Sequence, residues 1–202
     1  MIAGRLMDKN VPTFQGGWPW SADNVKKALQ QGETDMKYFA YGSNMWTPRL
    51  RARVPSCEFV TTAKLLRHQL RFHKRSNDKS SKCNAYETGS DTDIIWGTVF
   101  NISAAEKKAL DKAEGLGSGY NEKTMDLITP TGEYLKAITY YAADTAIVEG
   151  LSPYTWYKDL VLNGAAEHGL PANYVASSIE AVTATKDPDA GRDQRNRFSW
   201  SR

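Results

Sequence analysis

The sequence predicts an α+β protein built around a strongly curved or closed β-sheet. Strand-like segments outnumber long helical segments, and the two kinds do not alternate strictly along the 202 residues as they would in a doubly wound fold. The chain is 41% hydrophobic and 24% charged, which is ordinary for a globular protein. Its length therefore suits one domain with a closed core and short extensions at both ends.

Composition divides the chain into three parts. We expect residues 1–36 to form an N-terminal extension, within which segment 18–33 carries a short helix signal with Ser21 as its N-cap. Residues 37–184 are expected to form the folded domain. The polar and charged tail, 185–202, is expected to be loosely ordered or to lie along the surface.

Most segments in the first half of the domain have the pattern of strands. The aromatic, apolar segment 37–41 predicts a strand, and 47–54 predicts a short helix that ends before a proline. Alternating apolar residues predict a half-buried strand over 68–74. Residues 83–88 and 94–100 are also strand-like, and the glycine inside the second of these indicates a bulge or a close approach of another backbone.

The clearest helix signal covers residues 103–115. Ser103 and Glu106 have the spacing of a capping box, in which each side chain bonds the other residue's backbone N–H. Gly115 is the natural residue for the left-handed position just after the helix. These signals predict both ends of the helix.

The second half of the domain adds a hairpin and two helices. Residues 122–128 and 134–142 predict two strands joined by a glycine-containing loop. A second long helix is predicted over 152–171, with a serine as N-cap and a proline at the first helical position. A final helix is predicted over 171–182.

Charge and cysteine content exclude several classes of protein. The formal net charge of +3 is too weak to indicate nucleic-acid binding. Cys57 and Cys83 form no CxxC motif, so we expect neither a disulfide framework nor a zinc cluster but a reduced, cytoplasmic setting. No segment approaches the roughly 18 apolar residues of a membrane span, and residues 1–14 lack a secretory apolar region. We therefore expect a soluble protein with neither nucleic-acid nor membrane partners.

Histidine spacing does not indicate a metal site. His68 and His73 are five residues apart on a predicted strand and should face opposite sides, while His168 suits a helix C-terminus for structural reasons. Cys83 lies in a predicted strand and would need a histidine base close to it in space to act as a nucleophile, which a sequence alone does not reveal. A basic cluster is expected to be a solvated strand face, formed by Lys64, Arg67, Arg71, Lys74 and Arg75.

The segment YFAYGSNM, residues 38–45, leaves a buried strand abruptly at Gly-Ser-Asn. Gly42 permits backbone angles that a side chain would forbid. Free amide N–H groups of Gly42, Ser43 and Asn44 at the start of a helix would attract an anion. The alternative is an ordinary turn in which Ser43 or Asn44 caps the next helix. The segment is not a P-loop, because no Lys-Ser/Thr pair follows the glycine at the required spacing.

Glu114 is the second candidate for chemistry. It lies at the C-terminal end of the helix predicted over 103–115, where the helix dipole disfavours negative charge. Conflicts of this kind between a residue and its local setting concentrate at functional sites. The glycine-rich loop 115–120 that follows would let a ligand approach closely. The alternative is an exposed glutamate at a helix end.

Three segments together resemble the γ-glutamylcyclotransferase family. The segment YFAYGSNM (38–45) resembles the family's strand-and-loop signature. The segment LDKAEGLGSGY (110–120) resembles the one that carries its catalytic glutamate. The segment GAAEHGLPANY (164–174) resembles the stretch that follows its active-site helix. Their order and spacing agree over residues 37–176. The resemblance implies a small mixed β-barrel with helices packed outside, and an enzyme that needs no cofactor or metal.

The reaction implied by this resemblance cyclises a γ-glutamyl group. The α-amine of the substrate attacks its own γ-carbonyl, which releases 5-oxoproline and an amine. Glu114 would take and return the proton, and the amides of Gly42, Ser43 and Asn44 would bind the substrate's α-carboxylate. Strand alternation allows only one of Tyr140 and Tyr141 to face the pocket. The other residues expected to bind substrate are Tyr41, Met45, Tyr120 and Tyr141.

Asn44 bears on the choice of substrate. Glutathione-degrading relatives carry leucine after Tyr-Gly-Ser, and γ-glutamylamine-specific relatives carry Tyr-Gly-Thr-Leu. Tyr-Gly-Ser-Asn resembles the branch that acts on small γ-glutamyl dipeptides. Two alternatives remain: a sibling enzyme that releases a γ-glutamyl group from a larger carrier or isopeptide, and a non-catalytic module that binds γ-glutamyl groups or anions. The expected partner is a small γ-glutamyl molecule, with a homodimer left open.

Overall fold

A computed structural model describes residues 35–198 of the chain. The helix signal at 18–33 and the end of the tail, 199–202, lie outside the described residues. Within the described range, no helix is long and apolar enough to cross a membrane.

A closed barrel of five strands forms the centre of the domain. The strands follow one another around the barrel in the order β1 (Asp35–Ala40), β5 (Ile94–Ser103), β2 (Glu58–Leu66), β6 (Tyr120–Ile128) and β7 (Tyr134–Ala142). The parallel pairing of β1 with β7, at Tyr38 and Ile138, closes the barrel, and the other pairs are antiparallel. The predicted α+β fold with a small mixed barrel is confirmed.

Two further strands, β3 (His68–Arg75) and β4 (Ser81–Glu87), pair as a separate two-stranded sheet. The sequence predicted every strand except β2. The apolar residues of β2 that are fully buried are Ala63 and Leu65, two positions apart, and its first three residues are exposed. An inward-facing pattern this short gives little periodic signal.

Gly97 in β5 confirms the predicted close approach of another backbone. A Cβ at this position would lie 2.4 Å from the Ala40 carbonyl oxygen and 2.7 Å from the Phe39 ring. Its pairing with β2 is regular, since the bulge in that ladder lies between Phe59 and Thr61. The missing side chain therefore lets the end of β1 lie against β5, immediately before the Gly-Ser-Asn loop.

The helices lie outside these sheets. They are α1 (Thr47–Arg51), α2 (Lys107–Glu114), α3 (Thr155–Glu167), α4 (Ala172–Val175) and α5 (Ala190–Phe198), with a π turn at Ala176–Glu180 after α4. Short 3-10 turns cover Ser43–Met45, Ala104–Glu106 and Asp144–Ala146.

The capping box predicted at the start of α2 does not form. Ser103 is the N-cap, but its Oγ accepts a hydrogen bond from the Ala105 N–H at 3.3 Å and not from the Glu106 N–H that a capping box requires. The Glu106 carboxylate instead accepts from the backbone N–H and the hydroxyl of Ser56, at 3.0 and 2.6 Å. A tertiary partner has replaced the local one. Gly115 has the predicted left-handed conformation, with φ of 69°.

The start predicted for the second long helix is wrong. The helix begins at Thr155, three residues after Ser152, because the chain before it runs extended beside residue 185. The Thr155 N–H donates to the Thr185 carbonyl at 2.9 Å, and the Thr185 N–H donates to the Pro153 carbonyl at 3.0 Å. These main-chain bonds hold Tyr154 out of the helix.

The tail forms helix α5, which the sequence did not predict. Buried Asp187 accepts from the Trp156 ring N–H at 2.9 Å and pairs with Arg192 at 2.6 Å. Arg197 pairs with Asp159 of α3 at 2.5 Å. Polar bonds hold this helix against α3, which explains why its apolar pattern is weak.

Candidate active site

A pocket lies beside the end of β1 and brings the two candidate segments together. Asn44 Nδ2 in the loop after β1 lies 2.7 Å from Glu114 Oε1 at the end of α2. The pocket is lined by Tyr38, Tyr41, Gly42, Ser43, Asn44, Cys83, Glu114, Tyr120, Tyr140 and Tyr157.

The Glu114 carboxylate is held by two side chains. Asn44 Nδ2 donates to Glu114 Oε1 at 2.7 Å, and Arg53 Nη1 donates to the same oxygen at 2.9 Å. Arg53 Nη1 also donates to Asn44 Oδ1 at 2.7 Å, which closes a triangle of hydrogen bonds. The guanidinium offsets both the partial burial of the carboxylate and its unfavourable place at a helix C-terminus.

The structure separates the alternatives for the Gly-Ser-Asn loop. Neither Ser43 nor Asn44 caps a helix with its side chain, since the 3-10 turn and α1 both lack a side-chain cap bond. Asn44 Nδ2 instead spans Glu114 and the Tyr38 hydroxyl, at 2.7 and 3.0 Å. The first hydrogen bond of the turn runs from the Met45 N–H to the Gly42 carbonyl. The N–H groups of Ser43 and Asn44 come before this first donor and are not used within the turn.

Three tyrosines line the pocket with hydroxyl groups that donate to other parts of the protein. Tyr41 donates to the Tyr140 carbonyl at 2.5 Å, Tyr120 to the Cys83 carbonyl at 2.7 Å, and Tyr140 to Asp111 Oδ1 at 2.7 Å. Burial is the main cause that raises the pKa of all three. They are therefore neutral and fixed, and form rigid walls.

Tyr38 differs from these walls in the direction of its hydrogen bond. Its hydroxyl oxygen accepts from Asn44 Nδ2, so that bond does not use the hydroxyl hydrogen. Burial, followed by the nearby charge of Glu114, raises the pKa of Tyr38 well above its ordinary value. The residue stays protonated and has a hydrogen to donate.

Two residues predicted to bind substrate lie elsewhere. Tyr141 is on the opposite face of β7 from the pocket-lining Tyr140, with its ring 5.0 Å from Lys123 Nζ, because successive strand residues point to opposite faces. Met45 is fully buried in the core and does not line the pocket. A Cβ on Gly164 of α3 would lie 2.6 Å from Met45 Cβ, which shows how tightly the helix packs there.

Cys83 lines the pocket, but its surroundings disfavour a thiolate. Burial raises the pKa of the thiol to about 12. Because the thiolate is the nucleophilic form, a thiol that is protonated at neutral pH is a poor nucleophile. The structure therefore agrees with the sequence in disfavouring cysteine catalysis.

The histidines have structural partners. His68 Nδ1 is 2.7 Å from the Leu66 carbonyl, and His73 bonds Glu149 and Asn84 at 2.9 and 3.0 Å. Both rings are buried. Among residues 35–198, no group of three or more His, Cys, Asp and Glu side chains is arranged to hold a metal ion.

Sequence reasoning missed two cations at the site. Arg53 follows α1 without any periodic signal, and only the folded chain shows that it reaches Glu114. Lys74 was expected on a solvated strand face. It is partly buried instead, with Nζ 4.6 Å from the centre of the Tyr120 ring. The bulge between Phe72 and Lys74 disturbs the strand alternation on which that expectation rested.

Comparison with known proteins finds relatives over most of the chain. Residues 94–177 match the AIG2-like family. The chain is 32% identical to a γ-glutamylcyclotransferase of Bos taurus over 152 residues, which cover 72% of this chain and 77% of that protein. For the Mus musculus γ-glutamylcyclotransferase the identity is 33% over 158 residues, with coverage of 76% and 82%.

Solved structures show the same fold. One described as a γ-glutamyl cyclotransferase matches with a TM-score of 0.68 and 28% identity, over 75% of this chain and 89% of that chain. A glutathione-specific γ-glutamyl cyclotransferase from yeast matches with a TM-score of 0.54 over 73% of this chain and 95% of that chain. Its identity is 13%, so this second likeness concerns the fold alone.

Proposed function

Because the chain belongs to the γ-glutamylcyclotransferase family, we propose that it converts a small γ-glutamyl amino acid or amine into 5-oxoproline and the free amine, with Glu114 as general base and acid. The observation that carries the role of Glu114 is its 2.7 Å contact with Asn44. This contact joins the two segments that resemble the family's loop signature and its catalytic segment.

In the proposed reaction one carboxyl group moves one proton twice. The Glu114 carboxylate takes a proton from the substrate's α-ammonium group, and the freed nitrogen attacks the γ-carbonyl carbon. The new C–N bond closes a five-membered ring, and negative charge develops on the carbonyl oxygen. When this intermediate collapses, Glu114 returns the proton to the leaving nitrogen and the original amide C–N bond breaks. The ring nitrogen loses its second proton to become the amide N–H of 5-oxoproline, and the released amine takes up a proton from water to become an ammonium group.

The arrangement around Glu114 supports this role. The bonds from Asn44 and Arg53 both go to Oε1, so Oε2 is the oxygen proposed to exchange the proton. Two fixed donors to one oxygen would hold the carboxylate in one orientation. Since ring closure is intramolecular, orientation is most of what the enzyme has to supply.

Two further groups have proposed roles in binding. We assign the substrate's α-carboxylate to the main-chain amides of Gly42, Ser43 and Asn44, because the loop lines the pocket and the last two amides precede the first bond of the turn. Tyr38 is proposed to donate to the developing oxyanion, since its hydroxyl hydrogen is not used by Asn44.

The test is the release of 5-oxoproline from a panel of substrates. We expect kcat/KM to be highest for γ-glutamyl-alanine, and lower for glutathione and γ-glutamyl-lysine, because Tyr-Gly-Ser-Asn resembles the motif of the dipeptide-acting branch. If glutathione is turned over as efficiently as the dipeptide, the branch assignment is wrong although the reaction class survives.

The same panel separates the other functions. Release of 5-oxoproline from isopeptides alone would indicate the sibling enzyme, and binding of γ-glutamyl-alanine without turnover would indicate a non-catalytic module. We also propose a cytoplasmic location, which the two free, buried cysteines support. The homodimer stays a prediction, and sedimentation of the full chain would test it.

A further inference from the structure

A wider cavity opens from the candidate active site. Its volume is about 320 Å³, and Ser43, Glu114, Tyr120 and Tyr157 line both the cavity and the active-site pocket. Another opening beside Glu114 shares only that residue with the pocket. The further residues that line the wider cavity are Arg49, Arg53, Lys74, Ser76, Asp78, Lys82, Ala113, Trp156, Arg192 and Asn196.

Positive charge dominates the lining of this cavity. It contains five arginines and lysines but only two carboxylates, Asp78 and Glu114. Arg53 pairs with Glu114, Lys82 pairs with Asp78 at 2.8 Å, and Arg192 pairs with Asp187 at 2.6 Å. Arg49 is buried, and burial lowers its pKa to about 10, so it is still charged at neutral pH.

Lys74 is the cation best placed to receive an anion. Its Nζ lies 4.6 Å from the centre of the Tyr120 ring and has no ion pair within residues 35–198. A Cβ on Gly119 would lie 2.8 Å from this Nζ, so the glycine leaves the space that the ammonium group occupies. Burial lowers the pKa of Lys74, and the nearby charge of Glu114 acts in the opposite direction.

The reaction places the leaving part of the substrate on the Glu114 side of the pocket. Glu114 has to reach the leaving nitrogen to protonate it, so whatever is attached to that nitrogen extends past Glu114. The wider cavity shares Glu114 and three other lining residues with the pocket, and its volume of about 320 Å³ has room for an amino acid. A neutral side chain would leave the ammonium group of Lys74 without an anionic partner among the described residues.

We propose that this cavity binds the leaving amino acid and selects one with an acidic side chain, as in γ-glutamyl-glutamate or γ-glutamyl-aspartate, with Lys74 as the main specificity residue. This inference rests on the proposed function. The tail takes part in it, because Arg192 and Asn196 of α5 form one wall of the cavity.

The first experiment compares two substrates of nearly equal shape. γ-Glutamyl-glutamate has a side-chain carboxylate where γ-glutamyl-glutamine has an amide, and the two are otherwise alike. γ-Glutamyl-alanine serves to measure cyclisation without a charged leaving side chain. Hydrogen bonds to charged groups contribute about 1.5–3 kcal/mol. We therefore expect the wild-type enzyme to have at least about a tenfold higher kcat/KM for the glutamate compound than for the glutamine compound.

Variants locate the preference. Lys74→Gln is expected to reduce the glutamate-to-glutamine ratio of kcat/KM about fivefold to tenfold, with the change mainly in KM. The control, Lys136→Gln, removes the same charge from an exposed residue that pairs with Asp126 and lines no part of the cavity, so the ratio should not change. Asn196→Asp places a negative charge on the α5 wall and should also lower the ratio.

Every outcome decides between the two proposals. A lower ratio in Lys74→Gln and Asn196→Asp, with an unchanged ratio in the control, supports the inference. If the wild type cyclises γ-glutamyl-alanine but treats the glutamate and glutamine compounds alike, or if Lys74→Gln keeps the wild-type ratio, the inference is overturned and the proposed function stands. If no substrate yields 5-oxoproline, the proposed function fails, and the inference fails with it.

Discussion

The Glu114 carboxylate depends for its position on two residues far away in sequence, Asn44 and Arg53. The hydrogen bonds are short, from 2.7 to 2.9 Å, and the side chains of Glu114 and Arg53 are only 16% and 22% exposed. Screening by solvent is therefore weaker than at the surface. Loss of Arg53 would remove the ion pair of this partly buried carboxylate and leave Asn44 as its hydrogen-bond donor.

We predict that Arg53→Met lowers kcat by about 10- to 100-fold, because charged hydrogen bonds contribute about 1.5–3 kcal/mol each. Arg53→Lys keeps the charge but not the guanidinium geometry, and should retain more activity than the methionine variant. Steady-state kinetics on γ-glutamyl-alanine would check this, with thermal melting as the control for folding. Equal activity in wild type and Arg53→Met would show that the arginine does not position Glu114.

At this scale the sequence identified the residues that conflict with their local setting. Glu114 is an acid at a helix C-terminus, and Gly42 and Asn44 break the pattern of a buried strand, so each was a candidate, but only the segments taken together indicated one site. Arg53 and Lys74 conflict with nothing local, and their roles depend on contacts 61 and 46 residues along the chain. The choice of Tyr140 over Tyr141 required the orientation of β7, which alternation alone does not give.

At the scale of elements, helix α3 supports the loop that carries Asn44. A Cβ on Gly164 would lie 2.6 Å from both Met45 Cβ and the Trp46 backbone nitrogen. The glycine lets the helix approach the 3-10 turn at Ser43–Met45 at a distance that no other residue permits. Packing of α3 therefore fixes the place where the turn meets Glu114.

We predict that Gly164→Ala destabilises the protein by about 1–3 kcal/mol, the usual cost of overpacking a tight core, and lowers activity by displacing Asn44. The matched control is Asn163→Ala, an exposed position on the same helix, where alanine should have little effect or stabilise slightly. Urea unfolding of both variants would measure the difference. Wild-type stability in Gly164→Ala would show that the turn can move away at no cost.

Elements whose ends are determined by residues within their own segment were predicted well. Elements whose ends depend on contacts with residues distant in sequence were not. The hairpin of β6 and β7 and the glycine that ends α2 were predicted correctly. The capping box failed because Ser56 binds Glu106, and the start of α3 was displaced by pairing with Thr185. Helix α5 is held in place by the hydrogen bonds of Asp187 with Trp156 and Arg192, and no local sequence pattern predicts these contacts.

At the scale of the whole molecule, the fold brings segments that are distant in sequence to one pocket. The loop after β1, strand β4 with Cys83 and the end of α2 meet there, and helix α3 contributes Tyr157. Closure of the barrel by β1 and β7 is a long-range pairing that composition and periodicity do not determine. Its prediction came from the family resemblance, whereas the residues alone indicated only a curved or closed sheet.

We predict that activity does not require a metal ion, because the described residues offer no arranged set of ligands and Glu114 can move the proton alone. Prolonged treatment with EDTA followed by its removal should leave kcat/KM for γ-glutamyl-alanine unchanged. A loss that zinc or magnesium restores would refute this prediction.

The most direct test of the account is the release of 5-oxoproline from γ-glutamyl-alanine by wild type and Glu114→Gln. Glutamine keeps the size of the side chain and can still contact Asn44, but it cannot take a proton, so we predict a loss of about 10²- to 10⁴-fold in kcat. The control variant, Glu133→Gln, changes an exposed glutamate in the β6–β7 turn and should match the wild type. Wild-type turnover by a correctly folded Glu114→Gln protein would contradict the assignment of Glu114 as the acid and base.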